Sequence, residues 1–144
     1  SSGVATEVKL GFGIWNNTEI YLSNQVAWYS RRTFEGETSQ AVTLNSMTSL
    51  GVSYFFSEEL DSNEWHSSPF VSGGLGRFNM SDFLYDDGNS SGSLGFYVGL
   101  GYEFAKHVRL SLNYYVNNQS YKEDGNNYTK NSNVMLLTLS ALAF

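Results

Sequence analysis

The residue types best equipped for chemistry are scarce in this chain. Its 144 residues include two histidines, His66 and His107, and no cysteine. That removes thiolate nucleophiles, thiolate metal sites and disulfides. Ser67 and Ser68 follow His66 directly, but a hydrolytic triad is an arrangement in space, and adjacency along the chain does not create one. Asp82, Asp86, Asp87 and Asn89 offer oxygen ligands, yet they lack the spacing and the closing bidentate glutamate of an EF-hand calcium loop. They read as a solvated acidic loop. The expectation is a protein that is not an enzyme and that uses no metal and no cofactor.

A second set of polar residues is more informative. Glu7, Lys9, Glu19, Glu103 and Arg109, together with Tyr21, Tyr97 and Tyr115, fall at alternate positions opposite apolar neighbours. Side chains at every second position share one face of a β-strand, so these eight belong to the polar faces of strands. They read as a salt-bridged, hydrogen-bonded plug rather than as an ion path, because paired charges are the form in which buried charge is tolerated.

Residues 93–116 show the strands that carry this set most clearly. Leu94, Phe96, Val98, Leu100, Tyr102 and Phe104 alternate with Ser93, Gly95, Tyr97, Gly99, Gly101 and Glu103. After Ala105-Lys106-His107 the same parity resumes, with Val108, Leu110, Leu112, Tyr114 and Val116 opposite Arg109, Ser111, Asn113 and Tyr115. The pattern predicts a hairpin of two long strands, near the length of tilted strands that cross a bilayer.

Composition agrees. One proline, 14 glycines and 16% aromatic residues suit an all-β chain. Mean hydropathy is −0.29, which does not exclude a membrane strand, since only one of its faces need be apolar. The length fits one domain, residues 1–144. A net charge of −6 argues against a nucleic-acid partner, which would call for a basic surface. No signal peptide is visible, so a mature or trimmed chain is expected.

Seven strands are predicted, near residues 4–15, 19–30, 42–56, 69–80, 93–104, 108–116 and 133–144. Asn16-Asn17-Thr18 supplies a tight turn. Polar stretches at 31–40, 81–92 and 117–132 alternate with shorter connections and an acidic connector at 57–68. This long-short asymmetry is that of outer-membrane barrels. In the fourth strand Val71 and Leu75 share a parity with Arg77 while Phe70 and Phe78 take the other, which calls for a bulge or a rim position for Arg77. Aromatic residues gather in two bands: Trp15, Tyr21, Tyr54, Phe55, Phe56, Tyr102 and Phe104 toward the short turns, and Trp28, Phe78, Tyr114 and Tyr121 toward the long ones.

A soluble lipocalin-like barrel has the same period with the faces exchanged. The glycines and serines on the polar face and the aromatic bands favour lipid outside. The region 53–76, the run Gly99-Leu100-Gly101-Tyr102-Glu103-Phe104, the strand from Arg109 to Tyr115 and the final Phe144 resemble the eight-stranded bacterial outer-membrane β-barrel superfamily that includes the opacity proteins. The resemblance covers residues 42–144 well and the start weakly. It implies an antiparallel up-and-down transmembrane barrel in a Gram-negative outer membrane, with Phe144 as the signal read by the barrel assembly machinery. It also implies a structural or adhesive role at the cell surface. The superfamily includes lipid A modifying enzymes too, which is the alternative activity.

Bacterial single-chain barrels have an even strand number, so about eight strands are expected where seven are visible. Three accounts are open: a first strand lies before Ser1 or comes from a partner chain; one strand is unrecognised; or the first and last strands close the barrel in parallel. Arg31, Arg32, Arg77, Lys122 and Lys130 fall toward the long loops. They are candidate contacts for lipopolysaccharide phosphates, with outer-membrane lipid as the other expected partner.

Overall fold

The computed structural model describes the backbone of residues 2–31, 41–56, 67–82, 92–123 and 126–143, and the side chains of residues 2–28, 46–56, 67–79, 93–118 and 133–143. Seven strands form one closed barrel: β1 (Ser2–Trp15), β2 (Thr18–Arg31), β3 (Ala41–Phe55), β4 (Ser68–Asp82), β5 (Gly92–Ala105), β6 (Val108–Glu123) and β7 (Asn126–Ala143). Each strand pairs antiparallel with the next. The ring shuts through a parallel pairing of β1 with β7, from Ser2 beside Met135 to Leu10 beside Ala143. Of the three accounts of the strand number, parallel closure is the one realised among the described residues. An odd number of up-and-down strands leaves the first and last pointing the same way, so their pairing has to be parallel.

Two of the short connections are two-residue turns, 16–17 and 106–107. Asn17 is tied to β3: the Phe55 amide donates to its carbonyl at 2.8 Å and its own Nδ2 donates to the Phe55 carbonyl at 3.1 Å. His107 takes a left-handed conformation with φ of 66°, as the residue that closes a tight turn beside a bulge often does. Both turns adjoin a register shift, at Gly13/Trp15 and at Glu103/Ala105.

Two expectations are corrected, and one strand turns its faces round. The stretch 117–132 is not a loop: β6 and β7 continue as a hairpin ladder from Asn117 beside Ser132 to Glu123 beside Asn126. Residues 117–123 and 126–132 carry no apolar row in either parity, so periodicity gave no sign of it. The fourth strand has no bulge; its odd-numbered residues simply face outward, with Leu75 and Arg77 exposed and Phe70 and Phe78 buried. In β7 the parity is the reverse of β1, with Leu136, Thr138, Ser140 and Leu142 inside and Met135, Leu137 and Leu139 outside.

The barrel is inverted in polarity. Leu94, Trp15, Leu75, Leu100, Val8 and Phe12 are each more than 60% exposed, whereas Glu7, Lys9, Glu19 and Arg109 are no more than 5% exposed. The predicted aromatic bands are thinned accordingly. Tyr21 and Phe78 point inward at 1% and 3% exposure, and Phe55 packs against Phe70 and Arg109. Trp15, Tyr54, Phe56, Tyr102 and Phe104 remain outward near the short turns, and Trp28 and Tyr114 remain outward on the other side.

Large rings fit inside because glycines lie across from them. A side chain at Gly51 would run into the rings of Tyr21 and Tyr97, one at Gly101 into Phe70, and one at Gly95 into Phe78. Removing the Cβ on one strand therefore makes the room that an aromatic residue on another strand fills.

Candidate functional site

All eight polar-face residues singled out from the sequence lie inside the barrel, and they are stacked in layers. Nearest the short turns, β6 delivers Arg109 between Glu19 of β2 and Glu103 of β5. Its Nη1 and Nη2 donate to the two carboxylate oxygens of Glu19, the second at 2.8 Å. Its Nε donates to Glu103 Oε2 at 2.6 Å. The planar guanidinium suits this fork, and its one positive charge is shared between the two carboxylates. The Arg109 head also lies 4.8 Å from the ring centre of Phe55 and 5.5 Å from that of Phe70.

The next layer comes from β1. Glu7 and Lys9 are two residues apart, so both point inward, and Lys9 Nζ lies 3.4 Å from Glu7 Oε2. The same oxygen accepts from Ser140 Oγ at 2.7 Å, which ties the polar interior across the β1–β7 seam. Lys9 Nζ sits 4.1 Å from the centre of the Tyr21 ring and 5.9 Å from that of Phe70. The electron-rich ring faces add to the attraction of the carboxylate.

Above it, hydroxyl and amide groups from five strands interlock. Tyr21 and Tyr97 share a hydrogen bond of 2.6 Å between their hydroxyls, and Ser23 and Ser49 share one of 2.7 Å. Thr138 Oγ1 accepts from Gln25 Nε2 at 3.2 Å and from Asn113 Nδ2 at 2.9 Å. Tyr97 stacks on Tyr115 at 5.3 Å, and Tyr115 meets Phe78 edge to face at 5.9 Å. The last layer toward the long connections is apolar, with Ala5, Ala27, Met47, Val134 and Leu136 buried around Phe78 and Tyr115. Sequence reasoning missed this layer, since it treated the inner face as polar throughout; the reversed parity of Val134 and Leu136 hid it.

The interior side chains therefore engage one another, which is the geometry of a plug. Lys9 and Arg109 are each held by at least one carboxylate and one ring, and Tyr21 pairs with Tyr97 and Ser23 with Ser49 across strands, whereas the buried hydroxyls of Ser53, Ser93 and Tyr115 have no hydrogen-bond partner among the described residues. Among the described residues no group of three histidine, aspartate or glutamate side chains is arranged to hold a metal ion. Of the residues weighed for catalysis, His107 lies in the β5–β6 turn, while His66 is outside the described residues. So are Asp86, Asp87 and Asn89, and Asp82 is described by its backbone alone.

The five basic residues fare unequally. Arg77 is exposed on the outer wall of β4, beside Thr48 of β3 and Leu94 of β5. Arg31, Lys122 and Lys130 lie in β2, β6 and β7, without described side chains. Arg32 lies outside the described residues, as does Phe144, so its role as an assembly signal lies outside them too.

The fold and site define a class, a small closed β-barrel with an apolar wall and a charged, hydrogen-bonded interior. Comparison with protein families, with curated proteins and with solved structures finds no match for this chain.

Proposed function

We propose that the chain is a non-enzymatic β-barrel protein of a bacterial outer membrane, with a plugged interior and a structural or adhesive role exercised through its long connections at the cell surface. The observation that carries this reading is the inverted polarity. Leucines, phenylalanines and tryptophans cover most of the outer wall among the described residues, and an apolar surface of that extent needs an apolar environment. Strands of 14 to 18 residues, at about 3.3 Å per residue and a tilt near 40°, rise roughly 35 Å or more, enough to cross the hydrocarbon layer with their ends in the headgroups. The lipocalin-like alternative requires the apolar rows to line a cavity, and they face the other way.

The test is insertion. The chain is folded into phosphatidylcholine vesicles, and Trp15 and Trp28, both outward, are quenched by lipids brominated along the acyl chain. Strong quenching together with a heat-modifiable band on a gel is the expected result. A monomer that stays in solution without detergent, with tryptophans indifferent to brominated lipid, would overturn the reading. Expression behind a secretion signal in a Gram-negative host, followed by membrane fractionation, tests the location.

A further inference from the structure

The outer wall carries one polar row where apolar residues would be expected. Val26, Leu22 and Ile20 of β2 face outward, but Asn24 interrupts them. Its register partner on β3 is Thr48, and the partner of Thr48 on β4 is Arg77. All three are exposed, and Asn24 Nδ2 donates to Thr48 Oγ1 at 3.3 Å. One step further toward the long connections, Ser46 and Asn79 are partners on the same face. Five polar side chains from three adjacent strands thus adjoin, and at about 4.8 Å between strands the three-residue row spans roughly 10 Å.

Two features of this patch point to a ligand. Arg77 pairs with no carboxylate among the described residues, and no carboxylate shares its face there. The patch therefore offers a guanidinium, an amide and a hydroxyl with no anion supplied by the described protein. Two residues below it, toward the short turns, runs a row of apolar side chains in the same register: Leu22 beside Leu50, Leu50 beside Leu75, Leu75 beside Phe96. They are 52%, 60%, 70% and 47% exposed in that order. Donors above and hydrocarbon-compatible side chains directly below match a molecule with an anionic head and an acyl tail.

We propose that Arg77, Thr48 and Asn24 form a seat for the phosphate of a membrane lipid, whose acyl chain lies over Leu22, Leu50, Leu75 and Phe96. The inference rests on the membrane reading above and narrows it, replacing a diffuse ring of basic residues with one site on the β2–β4 wall. The guanidinium supplies the charge-assisted, two-pronged contact that phosphate favours. Thr48 and Asn24 add neutral donors along the row.

The test uses the folded full chain in detergent micelles, titrated with phosphatidic acid and followed by native mass spectrometry. Diacylglycerol with the same chains serves as the probe without phosphate, and inorganic phosphate as the probe without chains. Phosphatidic acid is expected to be retained, and neither of the others. Arg77→Gln should weaken its binding about ten-fold and Thr48→Val about three-fold. Lys106→Gln, in a turn at the opposite end, should leave it unchanged. Both wall variants replace exposed side chains, and a preserved heat-modifiable band checks that they fold. Equal binding to wild type and Arg77→Gln, equal retention of diacylglycerol, or a dimer broken by Arg77→Gln without lipid would each overturn the site. A wild-type chain that fails to enter vesicles would instead overturn the membrane reading beneath it.

Discussion

Removing the Arg109 head while keeping its bulk, as in Arg109→Met, tests whether the interior is held by compensated charge. Arg109 is 2% exposed and makes three hydrogen bonds to carboxylates. Without it, Glu19 at 5% exposure loses a partner for both oxygens, and Glu103 at 9% loses one. Breaking a buried pair by deleting one member costs about 3–5 kcal/mol, because an uncompensated charge stays behind. Glu103 lies nearer the rim and rehydrates more easily, which places the expected loss toward the lower end, at about 3 kcal/mol. Replacing all three, as Glu19→Gln, Glu103→Gln and Arg109→Met, removes the carboxylate charges that Arg109 offsets. It should recover most of that loss, leaving a deficit of about 1 kcal/mol from amides with incomplete partners. The assay is reversible urea unfolding in lipid vesicles, followed by tryptophan fluorescence, at constant ionic strength. The reasoning is refuted if Arg109→Met unfolds at the wild-type midpoint, or if the triple variant is as unstable as the single one.

Other predictions follow from the same interior and from the wall around it. Gly51→Val places a branched side chain against Tyr21 and Tyr97 and should cost at least about 3 kcal/mol through overpacking; loss of the heat-modifiable band or a lowered urea midpoint reads this out. Tyr97→Phe leaves the buried Tyr21 hydroxyl without its 2.6 Å partner and should cost about 1–2 kcal/mol, while Tyr21→Phe/Tyr97→Phe should cost less than the two single losses added together. Leu100→Arg, at a position 66% exposed in mid-strand, should destabilise the vesicle-inserted barrel by about 2–4 kcal/mol, where an aqueous barrel would tolerate it. All of these variants are measured by urea titration under one set of conditions.

Much of this architecture could be read from the chain because period-two alternation is a strong signal where one face meets an apolar surroundings and the other does not. The β5–β6 hairpin is the clearest case: Leu94 through Phe104 and Leu110 through Tyr114 lie outside as their spacing predicts. The Glu7, Lys9, Glu19, Glu103 and Arg109 set was legible for the same reason, since each charge falls on the small-residue parity of its strand. Legibility failed where both parities carry large side chains. In β4, Phe70 and Phe78 are as apolar as Val71 and Leu75, and only the glycines facing them from β5, Gly101 and Gly95, show which pair the interior can admit. In β7, Leu136 and Leu142 compete with Leu137 and Leu139, and what decides is Thr138 and Ser140, whose hydroxyls are needed by Gln25, Asn113 and Glu7. Partnership across strands is not a local property, so a window along the chain cannot detect it. The ladder of β6 and β7 beyond Asn117 was hidden for a different reason, the absence of any apolar face.

The glycines, the rings and the seven-strand closure are linked by geometry. Barrel width grows with strand number, and eight strands already leave only room for side chains; seven leave less. A lumen that narrow cannot hold Tyr21, Phe70, Phe78, Tyr97 and Tyr115, all at most 3% exposed, unless the opposing positions give up their Cβ atoms. Gly51, Gly95 and Gly101 do so. The rings in turn hold the two cations: Phe70 lies within 6 Å of both Lys9 and Arg109, so one aromatic face joins the β1 charge layer to the β6 one. The parallel seam gains from this as well. Glu7 is held from its own strand by Lys9 and from β7 by Ser140, which adds a charge-assisted bond to a pairing whose backbone ladder is intrinsically a little weaker than an antiparallel one. In this closure the rings, the glycines and the side chains of the seam are therefore matched to one another.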